Sequence, residues 1–296
     1  MESYSLPYYA DLATIPAQLP TIEEISGAQE VLSDKLVTKV VAIGDHFVIK
    51  YGPQVDLLVE GGTMLFLHNC SPVPVPRVYA LFCSPDNANK FIIMERIHGQ
   101  VLSSIWAKLD HAAKESLATK LRSLFTELRQ LKSPGGYCSV GHGGLPDGIF
   151  WTSDATRPYA GPFETESELN NAMVAKYVEG GLSKHKAAYY GRTFEEVLRN
   201  HPPVFTHADF QRKNVMIRTS SKSSTDQVVE PSYSDLEIVI IDWEFSGSYP
   251  SYWEYARTMF ACGKWDDDWT LWVDNILEPF RNEYVWNNMF LLDLWS

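Results

Sequence analysis

The sequence predicts an α+β protein of two lobes, a small β-rich lobe over residues 1–95 and a larger, mostly helical lobe over residues 96–296. Three observations predict it. Short β-branched and apolar runs crowd the first third of the chain: Val40-Val41-Ala42-Ile43, Phe47-Val48-Ile49-Lys50, Val78-Tyr79-Ala80-Leu81 and Phe91-Ile92-Ile93-Met94. Runs of that length between turn residues read as strands. From Ile97 onward the period changes, with Leu117, Leu121, Leu124, Leu128 and Leu131 recurring at three and four residues, as on one face of a helix. A late return to the strand pattern, Ile238-Val239-Ile240-Ile241, follows a polar loop at His207–Asn214.

Gly44-Asp45 joins the first two runs as a tight hairpin, because the turn between paired strands needs residues that tolerate positive φ. Val55-Asp56-Leu57-Leu58-Val59 starts a helix that carries Glu60. Gly61-Gly62 directly after it costs such a helix about 1 kcal/mol per residue relative to alanine, so either another element approaches closely there or the helix is irregular. Pro72, Pro74 and Pro76 punctuate the way to the next strand. Phe91–Met94 then runs into the less apolar connector Glu95-Arg96-Ile97-His98-Gly99.

In the second lobe Asp110 caps the leucine-striped helix. Thr165-Glu166-Ser167-Glu168 and Thr193-Phe194-Glu195-Glu196 both match capping boxes. Gly141-His142-Gly143-Gly144 lacks a following Lys-Ser/Thr and reads as a plain loop. The serine-rich segment 219–235 reads as an exposed, mobile insertion in the hairpin between the Asn214 and Asp242 strands, and there are no internal repeats.

Composition narrows the class. No run approaches ~18 apolar residues, so no membrane span is expected. The start Met1-Glu2-Ser3-Tyr4 has neither the basic residues nor the apolar run of a signal peptide. Cys70, Cys83, Cys138 and Cys262 are scattered without Cys-x-x-Cys spacing and read as reduced, mostly buried thiols. A cytoplasmic location is expected, which makes the sequon Asn69-Cys70-Ser71 irrelevant. The net charge of −12 argues against a nucleic-acid partner, since a phosphate backbone needs a basic surface.

The chemistry-bearing residues are Asp209 and Asn214, five positions apart in the loop His207-Ala208-Asp209-Phe210-Gln211-Arg212-Lys213-Asn214, with Asp242 at the end of a strand. A lone Asp-x-x-x-x-Asn more often caps turns. Here apolar stretches, Val204-Phe205-Thr206 and Val215-Met216-Ile217, frame the loop, and a strand-borne Asp follows. Phosphoryl transfer from a nucleoside triphosphate needs one carboxylate near the attacking hydroxyl and oxygen ligands for Mg²⁺. Asp209 fits the first need, Asn214 and Asp242 the second. His207 reads as a strut for the loop backbone, because a base already stands two residues later.

Phe205-Thr206-His207-Ala208-Asp209 through Met216, with Ile240-Ile241-Asp242-Trp243-Glu244, resembles the aminoglycoside phosphotransferase and choline kinase-like family, a small-molecule branch of the protein-kinase fold. The similarity extends from about Val37 to about Met259 and is greatest to fungal members with Tyr-Pro-Ser-Tyr-Trp-Glu-Tyr after the metal-binding Asp. The family pattern is His-Gly-Asp-Leu-x-x-x-Asn then Ile-Asp-Trp-Glu; this chain has Ala208 for Gly and Phe210 for Leu. The resemblance implies a bilobal kinase-like fold using ATP, or another nucleoside triphosphate, and Mg²⁺. It places Lys50 on the α/β-phosphates with Glu60 pairing behind it, and Met94, Glu95, Arg96 and Ile97 at the hinge that meets the base. No Gly-x-Gly-x-x-Gly precedes Lys50, so a phosphate-covering loop is not evident.

For the acceptor, the resemblance points to the C-terminal helices. Residues 242–296 hold ten acidic groups against Arg257, Lys264 and Arg281, and seven of the nine tryptophans. Glu254 and Asp266, Asp267 and Asp268 are expected to offer charge, and Trp253 a stacking face, to a neutral or cationic small molecule, although solvated helix faces over a tryptophan-rich core explain most such residues individually more readily. The expectation is a phosphotransferase acting on a small-molecule hydroxyl; the alternative is a nucleotide-binding, non-catalytic scaffold or a kinase-like fold recruited to other chemistry. Oligomeric state is not legible in the sequence.

Overall fold

The computed structural model describes residues 5–54, 56–152, 159–218 and 236–295. Its first lobe is one antiparallel six-stranded sheet, ordered β1-β5-β6-β4-β3-β2. The strands are Tyr8–Tyr9 (β1), Glu30–Asp34 (β2), Lys39–Ile43 (β3), Phe47–Gly52 (β4), Val78–Cys83 (β5) and Lys90–Glu95 (β6). The hairpin turns at Gly44, whose φ of +57° suits glycine, and β3 pairs β4 from Lys39↔Tyr51 to Ile43↔Phe47. A short helix, Ile22–Ser26 (α1), starts at a capping box of Thr21 and Glu24.

Helix Asp56–Cys70 (α2) crosses this sheet. Its glycine pair has a packing cause at Gly61, where an added methyl would stand 2.5 Å from Leu81 Cδ1 on β5. The helix stays regular, and the missing side chain lets it lie close to the sheet.

Strand Gly99–Val101 (β7) leads into the second lobe, where it pairs with Val215–Arg218 (β9), itself paired with Glu237–Ile240 (β10). The serine-rich segment 219–235 lies outside the described residues. Pro203–Thr206 (β8) and Gly247–Pro250 (β11) form a separate pair. The helices are Leu102–Ile105 (α3), His111–Leu128 (α4), Glu166–Glu179 (α5), Lys184–Val197 (α6), Trp253–Ala261 (α7), Trp269–Ile276 (α8) and Arg281–Leu294 (α9). Asp110 caps α4 by accepting from the Ala113 N–H, and Thr165 with Glu168 closes a capping box on α5. The Thr193-x-x-Glu196 box is not one: Thr193 lies inside α6, which Ser183 caps, because the buried stripe Ala187, Tyr190 and Phe194 carries the helix through it.

One apolar core joins the lobes. It runs from Leu65 and Phe66 of α2 through the α4 stripe to Phe205, Phe210 and Trp243, with the Phe66 and Phe205 rings 5.9 Å apart across the lobe boundary. A second core, around Tyr190, Phe194, Trp253 and Phe290, lies among the C-terminal helices. All four cysteines are free thiols, but only Cys138 is buried and Cys70 is exposed, since Cys70 ends α2 outside the packed face. Among the described residues no helix is long and apolar enough to cross a membrane.

Candidate active site

Four charged side chains meet where β4, α2 and the residues after β10 converge. Lys50 Nζ lies 2.8 Å from each of Glu60 Oε2, Asp242 Oδ1 and Glu244 Oε2. Lys50 and Glu60 are buried, while Asp242 and Glu244 are half-buried. Burial opposes the Lys50 charge, but the three carboxylates outweigh it and hold the ammonium well above its ordinary pKa. Burial pushes Glu60 up to about 7 despite the opposing Lys50 charge. For Asp242 burial also acts upward, yet Lys50, His207 and Lys35 together hold it below the usual carboxylate range. Lys35 stands in the β2–β3 turn, which closes with the Lys35 N–H donating to Thr38 O. The sheet thus carries a glycine-free hairpin whose charge reaches the Asp242 carboxylate.

The loop His207–Asn214 lies across from this cluster. Asn214 Nδ2 donates to Asp209 O at 2.9 Å and to Asp209 Oδ2 at 2.8 Å, and Gln211 Nε2 donates to Asp209 Oδ1. Lys213 Nζ stands 3.3 Å from the same carboxylate. Both Asp209 oxygens are therefore oriented by donors that the loop itself supplies. The Ile241 N–H donates to Asn214 O, fixing Asp242 beside the loop.

His207 spans the two segments. The Asp209 N–H donates to His207 Nδ1 at 3.2 Å, and His207 Nε2 lies 3.1 Å from Ile241 O. An Nδ1 that accepts leaves Nε2 as the donor, and burial keeps the ring below its ordinary pKa. The neutral imidazole ties the loop to the residue before Asp242.

Ala208 and Asp242 adopt φ of +65°. Left-handed backbone favours glycine, at about 1–2 kcal/mol for other residues, which explains why a Gly suits position 208. Such conformations persist where the surroundings over-determine them. At Ala208 the determinant is Glu254, which accepts from the His207 N–H at 2.6 Å and the Ala208 N–H at 3.1 Å. Burial pushes Glu254 up to about 7 against those bonds and the Arg129 charge.

Glu254 is thus a clamp on the loop backbone, and its enclosed carboxylate does not face an acceptor. Trp253 is fully buried, stacked on Phe150 and Tyr249, with Nε1 donating to Asp147 Oδ2, so it offers no open ring face. Asp268 accepts from Trp106 and Trp272 and pairs with Lys114, and Asp267 pairs with Arg212. Asp266 is exposed. The acidic residues expected around an acceptor mostly tie helices together, because the tryptophan-rich core needs partners for its indole N–H groups.

A pocket of about 170 Å³ opens beside the loop, lined by Ser103, Gln211, Arg212, Lys213, Thr258 and Trp269 among others. At the end of β6, the Glu95 N–H donates to Arg77 O and the Arg96 N–H to His46 O. The Arg96 guanidinium pairs with Glu30, Glu95 with Arg218, and Met94 is buried between Val48 and Val78.

Sequence reasoning missed two residues here. Glu244 stood in plain view two residues after Asp242. Gln211 had no signal beyond its place in the loop.

Known proteins can now be set beside this geometry. A family model described as the phosphotransferase enzyme family matches residues 39–285. Comparison with curated protein sequences returns no match. Solved structures with the same fold include aminoglycoside phosphotransferase APH(4)-Ia as a thermostable mutant in apo form, at TM-score 0.57 and 13% identity over 91% of this chain and 87% of that one. The GDP and kanamycin complex of APH(2")-IIIa aligns at TM-score 0.56 and 15% identity, over 90% and 84%. A mutant of APH(4)-Ia in ternary complex with ADP and hygromycin B aligns at TM-score 0.54 and 14% identity, over 92% and 86%.

Proposed function

Because the chain belongs to the phosphotransferase enzyme family, we propose that it transfers the terminal phosphoryl group of ATP, with Mg²⁺, to a hydroxyl of a small molecule. The observation that carries the reading is the set of carboxylates around one cation. Glu60, Asp242 and Glu244 present oxygens within 4.8 Å of one another, with the Lys50 ammonium between them. Carboxylate oxygens this close suit a hard divalent cation. Asp242, Glu244 and the Asn214 amide oxygen would hold Mg²⁺, which when bound neutralises charge between the β- and γ-oxygens.

The protein's own groups do the rest. Glu60 holds Lys50 extended toward the α/β-phosphates. Asp209, fixed by Asn214 and Gln211, orients the acceptor hydroxyl and takes its proton. His207 and Glu254 keep the loop in register with Asp242. The base lies against Met94; with the Glu95 and Arg96 N–H groups already engaged, it is met by main-chain carbonyls and the Ile97 N–H. The acceptor enters the pocket beside Arg212 and Lys213. The structural neighbours with kanamycin or hygromycin B bind aminoglycosides; here Arg212 and Lys213 are balanced by Asp267 and Asp209, so the pocket carries no basic excess and suits a small neutral alcohol.

Nucleotide binding tests the reading. ATP with Mg²⁺ at about 100 times its dissociation constant should stabilise the folded protein by roughly 2.7 kcal/mol, and Asp242→Ala should remove the Mg²⁺-dependent part of the affinity. No thermal shift at millimolar nucleotide refutes it. An equal Mg²⁺ effect in both proteins removes Asp242 from the metal site.

A further inference from the structure

His201, two residues before β8, stands between two carboxylates that take no part in the active site. Its ring Nδ1 lies 2.6 Å from Glu166 Oε1, and its main-chain N–H donates to Glu166 Oε2 at 2.9 Å. On the other side, Nε2 lies 3.5 Å from Glu283 Oε1. Glu166 opens α5 and Glu283 stands in the first turn of α9, where the helix dipole favours a negative side chain. In the capping box of α5 it is Glu168 that turns back to Thr165, which leaves Glu166 free to reach His201.

His201 and Glu166 are buried and Glu283 is half-buried. The rings of Tyr252 and Phe280 pack against the imidazole at 4.9 and 5.9 Å, and the Tyr137 hydroxyl donates to His201 O at 2.8 Å. A neutral imidazole has one N–H and one bare nitrogen. Whichever nitrogen is bare, its lone pair faces a carboxylate oxygen, of Glu166 on one side or of Glu283 on the other. Only the imidazolium donates both ways. Burial opposes the charge, but the hydrogen bond to Glu166 and the charges of both acids outweigh it and raise the ring above its ordinary 6.5. The neighbouring phenols do not share the titration, since burial with Glu166 nearby pushes Tyr137 up to about 12 and Tyr252 well above its ordinary value. Among the described residues no lysine or arginine pairs with either acid.

We propose that His201 works as an imidazolium fastener, tying the start of α9 to the start of α5 beside the root of β8, strong in mild acid and weaker as pH rises. The sign follows from linkage. A group whose folded pKa is raised stabilises fully below its unfolded value, and that contribution is lost as pH climbs through the folded one. The loss therefore begins near the ordinary 6.5 and runs upward from there. None of these groups belongs to the nucleotide or acceptor site, so the fastener does not rest on the phosphotransferase reading.

Nitrogen-15 NMR of the full chain, labelled at histidine, reads the ring directly, with His201→Gln or His201→Asn identifying its signal among the eight histidines. Below its midpoint both ring nitrogens should carry protons. The midpoint should lie above 6.5 and should fall in Glu283→Gln. A second measurement needs no histidine variant, and Glu283 is open enough to solvent for the change to be tolerated. Protection of the α9 main-chain amides against hydrogen exchange, corrected for its intrinsic pH dependence, should drop by up to about tenfold per pH unit across the window. The total drop should be smaller in Glu283→Gln, whose amide can meet a neutral ring. A midpoint at or below 6.5, or one that Glu283→Gln leaves in place, overturns the bracketed imidazolium. A drop in protection of the same size in both proteins overturns the fastener.

Discussion

Lys50 and Asp242, 192 residues apart in sequence, form an ion pair at 2.8 Å that bridges the two lobes. With Glu60 and Glu244 they make a cluster of one cation and three carboxylates, so the net charge of the group is set by whichever cation shares it.

Lys50→Met leaves three carboxylates facing one another. Removing one partner of a buried pair costs about 3–5 kcal/mol, and the loss should be larger at neutral pH than in mild acid, where Glu60 takes up a proton. Nucleotide affinity should fall at least about tenfold. Chemical unfolding and nucleotide titration check both; an unchanged affinity removes Lys50 from the phosphate site.

Glu60 and Glu254 set a pH dependence. Burial raises both from an ordinary carboxyl to about 7 when folded, so the stability each gives is fully present below its unfolded pKa of 4.5 and is lost as pH rises to about 7. The slope is at most about 1.4 kcal/mol per pH unit for each group. Glu60→Gln should flatten part of this fall in urea unfolding. It should also erase a rise in nucleotide affinity near pH 7, because the pair with Lys50 needs the ionised acid.

Glu254→Gln tests the loop clamp. An amide oxygen can serve only one of the two N–H groups of His207 and Ala208, and a buried donor left without a partner costs about 1–3 kcal/mol. Turnover should fall about 10- to 100-fold while the acceptor KM changes little. A change in KM alone would return Glu254 to the acceptor pocket.

What was legible in the sequence was local. β-Branched runs marked β3 to β6, Asp110 marked the start of α4, and the spacing of Asp209 and Asn214 placed a carboxylate and an amide on one short loop. Strand β2 was not legible, because Glu30–Asp34 is an edge strand with little buried surface and so no alternation. Glu254 was misread for a different reason. Its role depends on α7 returning 47 residues later to face the loop, and nothing in the local string Tyr252-Trp253-Glu254-Tyr255 separates an acid that clamps backbone from one that greets a substrate. Gly61 likewise had its explanation 20 residues away, on Leu81.

Trp253→Ala separates core from pocket. A fully buried tryptophan should cost about 3–5 kcal/mol of stability on truncation, with the acceptor KM of the surviving folded enzyme unchanged. A raised acceptor KM with normal stability would place Trp253 in the acceptor site.

The central claim is that Asp209 serves the chemical step on a small-molecule hydroxyl. Purified wild type and Asp209→Asn, each with Mg-ATP and a library of small alcohols, should be compared by mass spectrometry for a gain of one phosphate. The account predicts a phosphorylated product with the wild type and at least about a thousandfold less with the variant, while both bind Mg-ATP within a few-fold. Equal product from the two proteins would contradict it.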